Sequence, residues 1–249
     1  MKIVVIGGSG LIGRQLTARL LEKGHQAVAA SPRSGVNTLS GEGLAEVLSG
    51  AEVVVDVSNA PSFEDAAVLD FFERGGRILL AAERQAGVKH HVALSIVGTD
   101  RLEGNGYFRA KVAQERLVKE AGIPFTIVRA TQFFEFVATI AGASVEGERL
   151  VVPDADFQPI AAADVAEALA DIALAPPRNA ICEIAGPERL PFRAFVARHL
   201  AASGDHRSVQ ADGTARYFGA PLEKGSLVPA VAGEARLGAT RFDTWLATA

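Results

Sequence analysis

The chain has 249 residues, 25 Lys+Arg against 29 Asp+Glu, a formal net charge of −4 at pH 7, and 49% hydrophobic residues. This is ordinary globular composition, which excludes a disordered or fibrous chain and needs no metal or disulfide staple. The mild acidity leaves no basic patch for a nucleic-acid backbone, and no run of about 18 apolar residues offers a membrane span. In chain order, Lys2–Ile6, Gln26–Ala30, Val53–Val57, His91–Ser95 and Phe125–Arg129 are short, mostly β-branched runs without alternation. Strands of that kind are buried on both faces, as in a parallel sheet. Between them, Ile12, Leu16 and Leu20 mark one helix, closed by Gly24. Phe63–Glu73 and Arg77–Ala86 read as helical pieces, separated or kinked at Gly75-Gly76. Phe108, Val112, Leu117 and Val118 mark a further helix ending near Gly122.

The pattern loosens after Phe134. Arg149–Val152 and Ala180–Ala185 read as strands, Asp164–Leu174 as a helix with Asp164 at its N-cap, and Pro191–Ser203 as a last helix before Gly204. The βαβα order predicts an α/β fold with a doubly wound parallel sheet. It is expected as a single domain over 1–249, in which roughly 135–249 forms a small C-terminal lobe over the substrate. The single cysteine, Cys182, lies in an apolar strand, where it is expected as a buried small residue, and it fits a reducing, cytoplasmic setting. The step from Met1-Lys2 straight into the first strand is too short for a signal peptide. The five histidines form no metal constellation by spacing, so no metal is expected.

Gly7, Gly10 and Gly13 follow the first strand with GxxGxxG spacing. Glycine suits this place because the backbone must leave a strand sharply and approach a pyrophosphate held at the positive end of the next helix. Leu11, Ile12 and Arg14 belong to the same stretch. The second strand runs into Ser31-Pro32-Arg33-Ser34 without the acid that usually holds an NAD ribose. Arg14 and Arg33, with the Ser31 hydroxyl, suit a 2′-phosphate, so NADP (NADPH) is the expected cofactor. The alternative is that both arginines are solvated surface residues. Asn59-Ala60-Pro61 closes the third strand where the chain would pass the cofactor. Tyr107 and Lys111 are one helical turn apart, and an ammonium beside a phenol would lower its pKa and ready it to protonate a carbonyl oxygen. Ser95, just upstream, would hold the substrate oxygen. Phe133, Phe134 and Phe136 are expected in the core, with one of them open to an aromatic substrate.

The glycine loop, Ser95, Tyr107 and Lys111 resemble the short-chain dehydrogenase/reductase superfamily. The stretches Pro61-Ser62-Phe63-Glu64-Asp65, His91–Ser95, Ile123–Arg129 and Gln158-Pro159-Ile160 with Asp164-Val165-Ala166 are similar to its atypical NmrA-like branch. The resemblance implies a Rossmann fold, a bound NAD(P), a substrate cleft between the sheet's C-terminal edge and the lobe, and Ser95, Tyr107 and Lys111 as the catalytic set. It also implies Lys111 on the nicotinamide ribose. The chain departs from that pattern in having no asparagine between Asn59 and Asn105. The function expected is reduction of a small carbonyl or quinone-like substrate. The alternatives are a non-catalytic cofactor sensor that binds a protein partner, and an isomerase or epimerase that retains the cofactor. A homo-oligomer is compatible with each.

Overall fold

The computed structural model describes residues 1–102, 104–146 and 149–248. Its first part alternates strands and helices: β1 (Lys2–Ile6), α1 (Leu11–Glu22), β2 (Gln26–Ala30), α2 (Leu44–Leu48), β3 (Val53–Asp56), α3 (Asp65–Ala86), β4 (His90–Ile96), α4 (Gly106–Glu120) and β5 (Phe125–Ala130). The second part comprises α5 (Val137–Gly142), β6 (Val145–Glu146), β7 (Arg149–Pro153), β8 (Asp156–Phe157), α6 (Ala162–Leu174), β9 (Ala180–Ala185), β10 (Leu190–Pro191) and α7 (Phe192–Ala202). It ends with β11 (Ser208–Asp212), β12 (Arg216–Tyr217), β13 (Ala220–Pro221), β14 (Arg236–Leu237) and α8 (Phe242–Leu246).

Seven strands form the main sheet in the order β14-β9-β5-β4-β3-β1-β2. The pairs β1–β2, β1–β3 and β3–β4 are parallel, with Ile3 opposite Ala27 on one side and Val53 on the other. The strand run 2-1-3-4-5 reverses direction of winding between β1 and β3. In a doubly wound sheet, ligands bind outside the carboxyl ends of the strands at such a switch point. Strands β1 and β3 carry almost only buried apolar side chains, with Ile3, Val4, Val5, Val54 and Val55 fully covered. That is the physical reason for their unbroken β-branched pattern, since helices cover both faces.

Three sequence expectations need correction. Helix α3 is a single 22-residue element, with no break at Gly75-Gly76. A β-carbon on Gly75 would touch Thr38 and Leu39, and one on Gly76 would lie 3.3 Å from Leu117. The glycines therefore mark close packing against α3, not a kink. Asp164 does not cap α6, which begins at Ala162 and takes its N-terminal acceptor from the Glu135 carboxylate. Asp164 instead accepts from the backbone N–H and the hydroxyl of Thr240. Cys182 is half-buried, not enclosed in the core.

The chain divides into two compact units, residues 1–95, 106–129 and 165–182 in one, and 96–105, 130–164 and 183–249 in the other. The first has an apolar core that includes Val4, Ile6, Leu48, Val54, Leu79 and Ile127. The second is built on aromatic packing. Phe157 stacks on Phe192 at 4.4 Å, and Phe242 meets Phe134, Phe195 and Trp245 at 5.0 to 5.9 Å. The buried Glu188 carboxylate ties this unit by accepting from Arg241 and from the Phe242 backbone. Among the described residues, no helix is long and apolar enough to cross a membrane.

Candidate functional site

The loop from Gly7 to Gly13 leaves β1 at the switch point. Gly7 has φ +80°, and a β-carbon there would sit 2.8 Å from the Ser58 backbone, so only glycine fits. The Gly7 and Gly8 amides both donate to the Ala30 carbonyl, at 2.9 and 3.1 Å, which pins the loop to the end of β2. A β-carbon on Gly13 would lie 2.3 Å from the Gly7 carbonyl oxygen. Gly13 thus lets α1 press against the loop. Gly10 differs, because its β-carbon would meet only the Gly7 carbonyl oxygen, at 3.2 Å. Its far side is open, and a ligand can come up to the backbone there.

Gly10 also occupies the N-cap of α1, with no side-chain cap and no acid in the first turn. The exposed end of a helix presents N–H groups and a positive dipole, and an uncapped one suits a phosphate. Ile12 is buried and Leu11 half-buried, so both serve the loop chiefly through backbone. The donor set therefore fits the pyrophosphate of a dinucleotide. At the end of β2, Ser31 is buried and forms a reciprocal capping box with Ser34. Arg14 and Arg33 are exposed, and among the described residues neither makes an ion pair.

Among the described residues, the hydrogen bonds of Ser95, Tyr107 and Lys111 run to three different protein partners. The Lys111 ammonium is 3% exposed. It donates to the Leu94 carbonyl at 2.7 Å and to the Gln114 amide oxygen, and it lies 4.5 Å over the Phe72 ring. Burial lowers its pKa to about 8, against the opposing pull of Asp56 and Glu115. Gln114 passes the link on, donating to Asp56 at 2.9 Å. Tyr107 turns to Asn59 instead, its hydroxyl donating to Oδ1 at 2.8 Å, and its ring meets Phe63 and Phe72. Burial raises the phenol's pKa above its usual value, opposite to the lowering expected from Lys111. The spacing does place both side chains on one helical face, but the lysine's long stem carries its charge inward to β4.

Ser95 is also occupied. Its hydroxyl donates to Glu115 at 2.6 Å, and Glu115 in turn receives two bonds from Arg129, both 2.8 Å. Sequence reading missed this buried Ser95–Glu115–Arg129 cluster. Its only signal was Arg129, a lone charge at the end of the largely apolar run Phe125–Arg129. Ala60 is buried beside Val68, Phe72 and Ala110, while the exposed Asn59 accepts from both Tyr107 and the Ala60 amide. Beyond β5, Thr131 Oγ1 and both amide atoms of Gln132 are buried without a hydrogen-bond partner among the described residues. Their backbones are held, Thr131 to Ile184 and Gln132 to Ile160. Buried polar atoms left open in this way mark the carboxyl end of β5 as a ligand-facing place. Of the three phenylalanines that follow, Phe134 is buried, Phe133 half-buried and Phe136 exposed.

A family model described as NAD(P)H-binding matches residues 7–176. The chain belongs to this NAD(P)H-binding family. Its matched span runs from the glycine loop through β5 and α6, so it contains every residue of the loop described above. The photosystem II assembly factor Ycf39 of Cyanophora paradoxa is 27% identical over 149 residues, 54% of this chain and 46% of that protein. A chloroplastic divinyl chlorophyllide a 8-vinyl-reductase of Oryza sativa subsp. indica is 31% identical over 226 residues, 74% of this chain and 54% of that protein. This NAD(P)H-binding chain therefore spans about half the length of both. Among solved structures, a short-chain dehydrogenase/reductase superfamily protein of Agrobacterium tumefaciens with bound NAD superposes with a TM-score of 0.75. It covers 100% of this chain and 95% of its own at 17% identity, which shows the shared fold.

Proposed function

We propose that this chain is an NADP(H)-dependent reductase of a small carbonyl or quinone-like compound. The observation that carries the reading is the open face of Gly10 at the uncapped start of α1, set at the β1/β3 switch point. Family membership and the reductase name borne by the rice relative support it. The choice of NADP over NAD rests on Ser31 in place of an acid, with the Arg14 and Arg33 guanidinium groups for a 2′-phosphate. The bound nicotinamide would supply hydride. Within the chain, Gly7, Gly10 and Gly13 shape the phosphate loop, and Leu11, Ile12 and Ala60 support it. Lys111 holds the β4 edge through Leu94. Tyr107, kept neutral by burial, carries a proton that Asn59 holds in place until a carbonyl oxygen takes it. Ser95 orients Glu115 and Arg129 beneath the same edge. The C-terminal lobe over 135–249 would supply the substrate contacts. A cytoplasmic location belongs to the same reading, resting on a single cysteine, Cys182, which can form no disulfide within the chain.

One observation favours a second reading, a cofactor sensor without turnover. The Tyr107 and Ser95 hydroxyls both point at protein acceptors, and Lys111 is folded inward. The test is NADPH oxidation across a panel of aldehydes, ketones and quinones, alongside calorimetric titration of NADPH. Turnover of any of them establishes the reductase. Tight cofactor binding with no turnover favours the sensor, and absence of binding removes both.

A further inference from the structure

The second unit contains a cavity of about 130 Å³ that the dinucleotide reading does not use. Its walls include Ile140, Pro153, Phe192, Tyr217 and Phe218, with Arg216 at the rim. Ser144 and Arg216 make its lining partly polar, and its volume approaches the roughly 150 Å³ at which a cavity takes one benzene ring. Three aromatic rings line it in an edge-on series: Phe192 to Tyr217 at 6.2 Å and Tyr217 to Phe218 at 4.8 Å.

The hairpin that carries two of these walls is built against its own preferences. Strands β12 and β13 pair antiparallel with Tyr217 opposite Ala220, leaving Phe218 and Gly219 as a two-residue turn. Both have positive φ, +46° and +86°, the pattern of a type I′ turn. Asn, Asp or Gly normally fills the first position of that turn, because a larger side chain is strained there. Here it is a phenylalanine, 51% exposed, whose carbonyl is held by the Asn105 side chain at 2.8 Å. A strained, exposed ring does not stabilise the fold, so its use must be sought in what it touches. Arg216 arches across the same turn, one N–H donating to the Gly219 carbonyl at 3.3 Å. Among the described residues no carboxylate pairs with it, and a guanidinium has further N–H groups to offer an anion.

The geometry points to a binding site for a small aromatic carboxylate, its ring between Phe192, Tyr217 and Phe218 and its anionic oxygens on Arg216. Planar bidentate pairing suits guanidinium to carboxylate, and edge-on aromatic walls suit a flat ring. The proposal does not depend on dinucleotide binding, and its test uses the full chain without cofactor. Benzoate is titrated by calorimetry and by saturation-transfer NMR, with cyclohexylamine as a cation of similar size. Benzoate is expected to bind with a millimolar Kd and cyclohexylamine not at all. Arg216→Gln should weaken benzoate by about tenfold or more. Phe218→Asn should lose the binding and yet raise Tm by about 2–4 °C, since the turn gains its preferred residue. Failure of benzoate to bind the wild type overturns the proposal, as does undiminished binding to either variant. A fall in Tm for Phe218→Asn also overturns it, because the ring would then be a structural part of the turn.

Discussion

At the scale of single residues, the three glycines of the loop after β1 have separate duties and predict separate outcomes. Gly10 has backbone φ −78°, which any residue adopts, and only one atom near its absent β-carbon. Gly10→Val should therefore leave a folded protein that no longer binds NADPH, read by circular dichroism and calorimetry. Normal binding by that variant would move the cofactor off this loop. Gly13→Ala should instead damage the fold, since its β-carbon would lie 2.3 Å from backbone, with a loss of about 1–3 kcal/mol. Arg33→Ala should weaken NADPH by about 1.5–3 kcal/mol and leave NADH unchanged. Equal wild-type affinity for the two cofactors would contradict that expectation. Tyr107→Phe should cut turnover on a confirmed substrate by about 10²–10⁴-fold with NADPH affinity intact. The hydrogen bond of its hydroxyl to Asn59 lies at an exposed side chain, so losing it should cost the fold little. Full turnover in the variant would make the phenol a bystander.

At the scale of elements, the Ser95–Glu115–Arg129 cluster joins α4 to β4 and β5, the strands that bear the site. Glu115 and Arg129 are both buried, at 3% and 8% exposure. Deleting one partner leaves the other as an uncompensated buried charge, which costs far more than the pair contributes when intact. Arg129→Ala should lower stability by about 3–5 kcal/mol in urea denaturation, with the m-value unchanged. A loss below about 1 kcal/mol would mean that water reaches Glu115 freely. The same elements explain where the side chains of Tyr107 and Lys111 go. Four residues along a helix set two side chains on one face. Where the lysine's charge goes is decided by the Leu94 carbonyl and Gln114, which belong to β4 and the next turn of α4.

At the scale of the whole molecule, stability should depend on pH in a direction fixed by burial. Lys111 has a folded pKa of about 8 against an ordinary 10.5. Between those values the unfolded chain binds more protons than the folded one, so stability rises with pH over that window. The full effect is about 3 kcal/mol, and Lys111→Met should remove the rise in denaturation midpoints measured across it. His90 is pushed down to about 4, by burial first and His91 second. Its contribution is present above pH 6.5 and is lost as pH falls towards 4. His91 is raised by its bond to Glu83, against the pull of burial, so its contribution is lost at higher pH.

The amino-acid sequence by itself determined the alternating α/β order, because buried parallel strands must read as unbroken β-branched runs between amphipathic helices. It also determined the glycine turn between β1 and α1, since a strand, a glycine triplet and a helix start are all local and leave a contiguous trace. The tertiary structure alone decided what lies between elements: the inward turn of Lys111 to Leu94, the bond from Tyr107 to Asn59 and the Glu115–Arg129 pair. Each joins residues far apart in the chain, and no periodicity records which buried partner a flexible polar side chain will find. The hairpin at Phe218-Gly219 shows the same division. Its second residue is the glycine that such a turn requires, but only the fold reveals that its first is a phenylalanine held at positive φ beside a cavity.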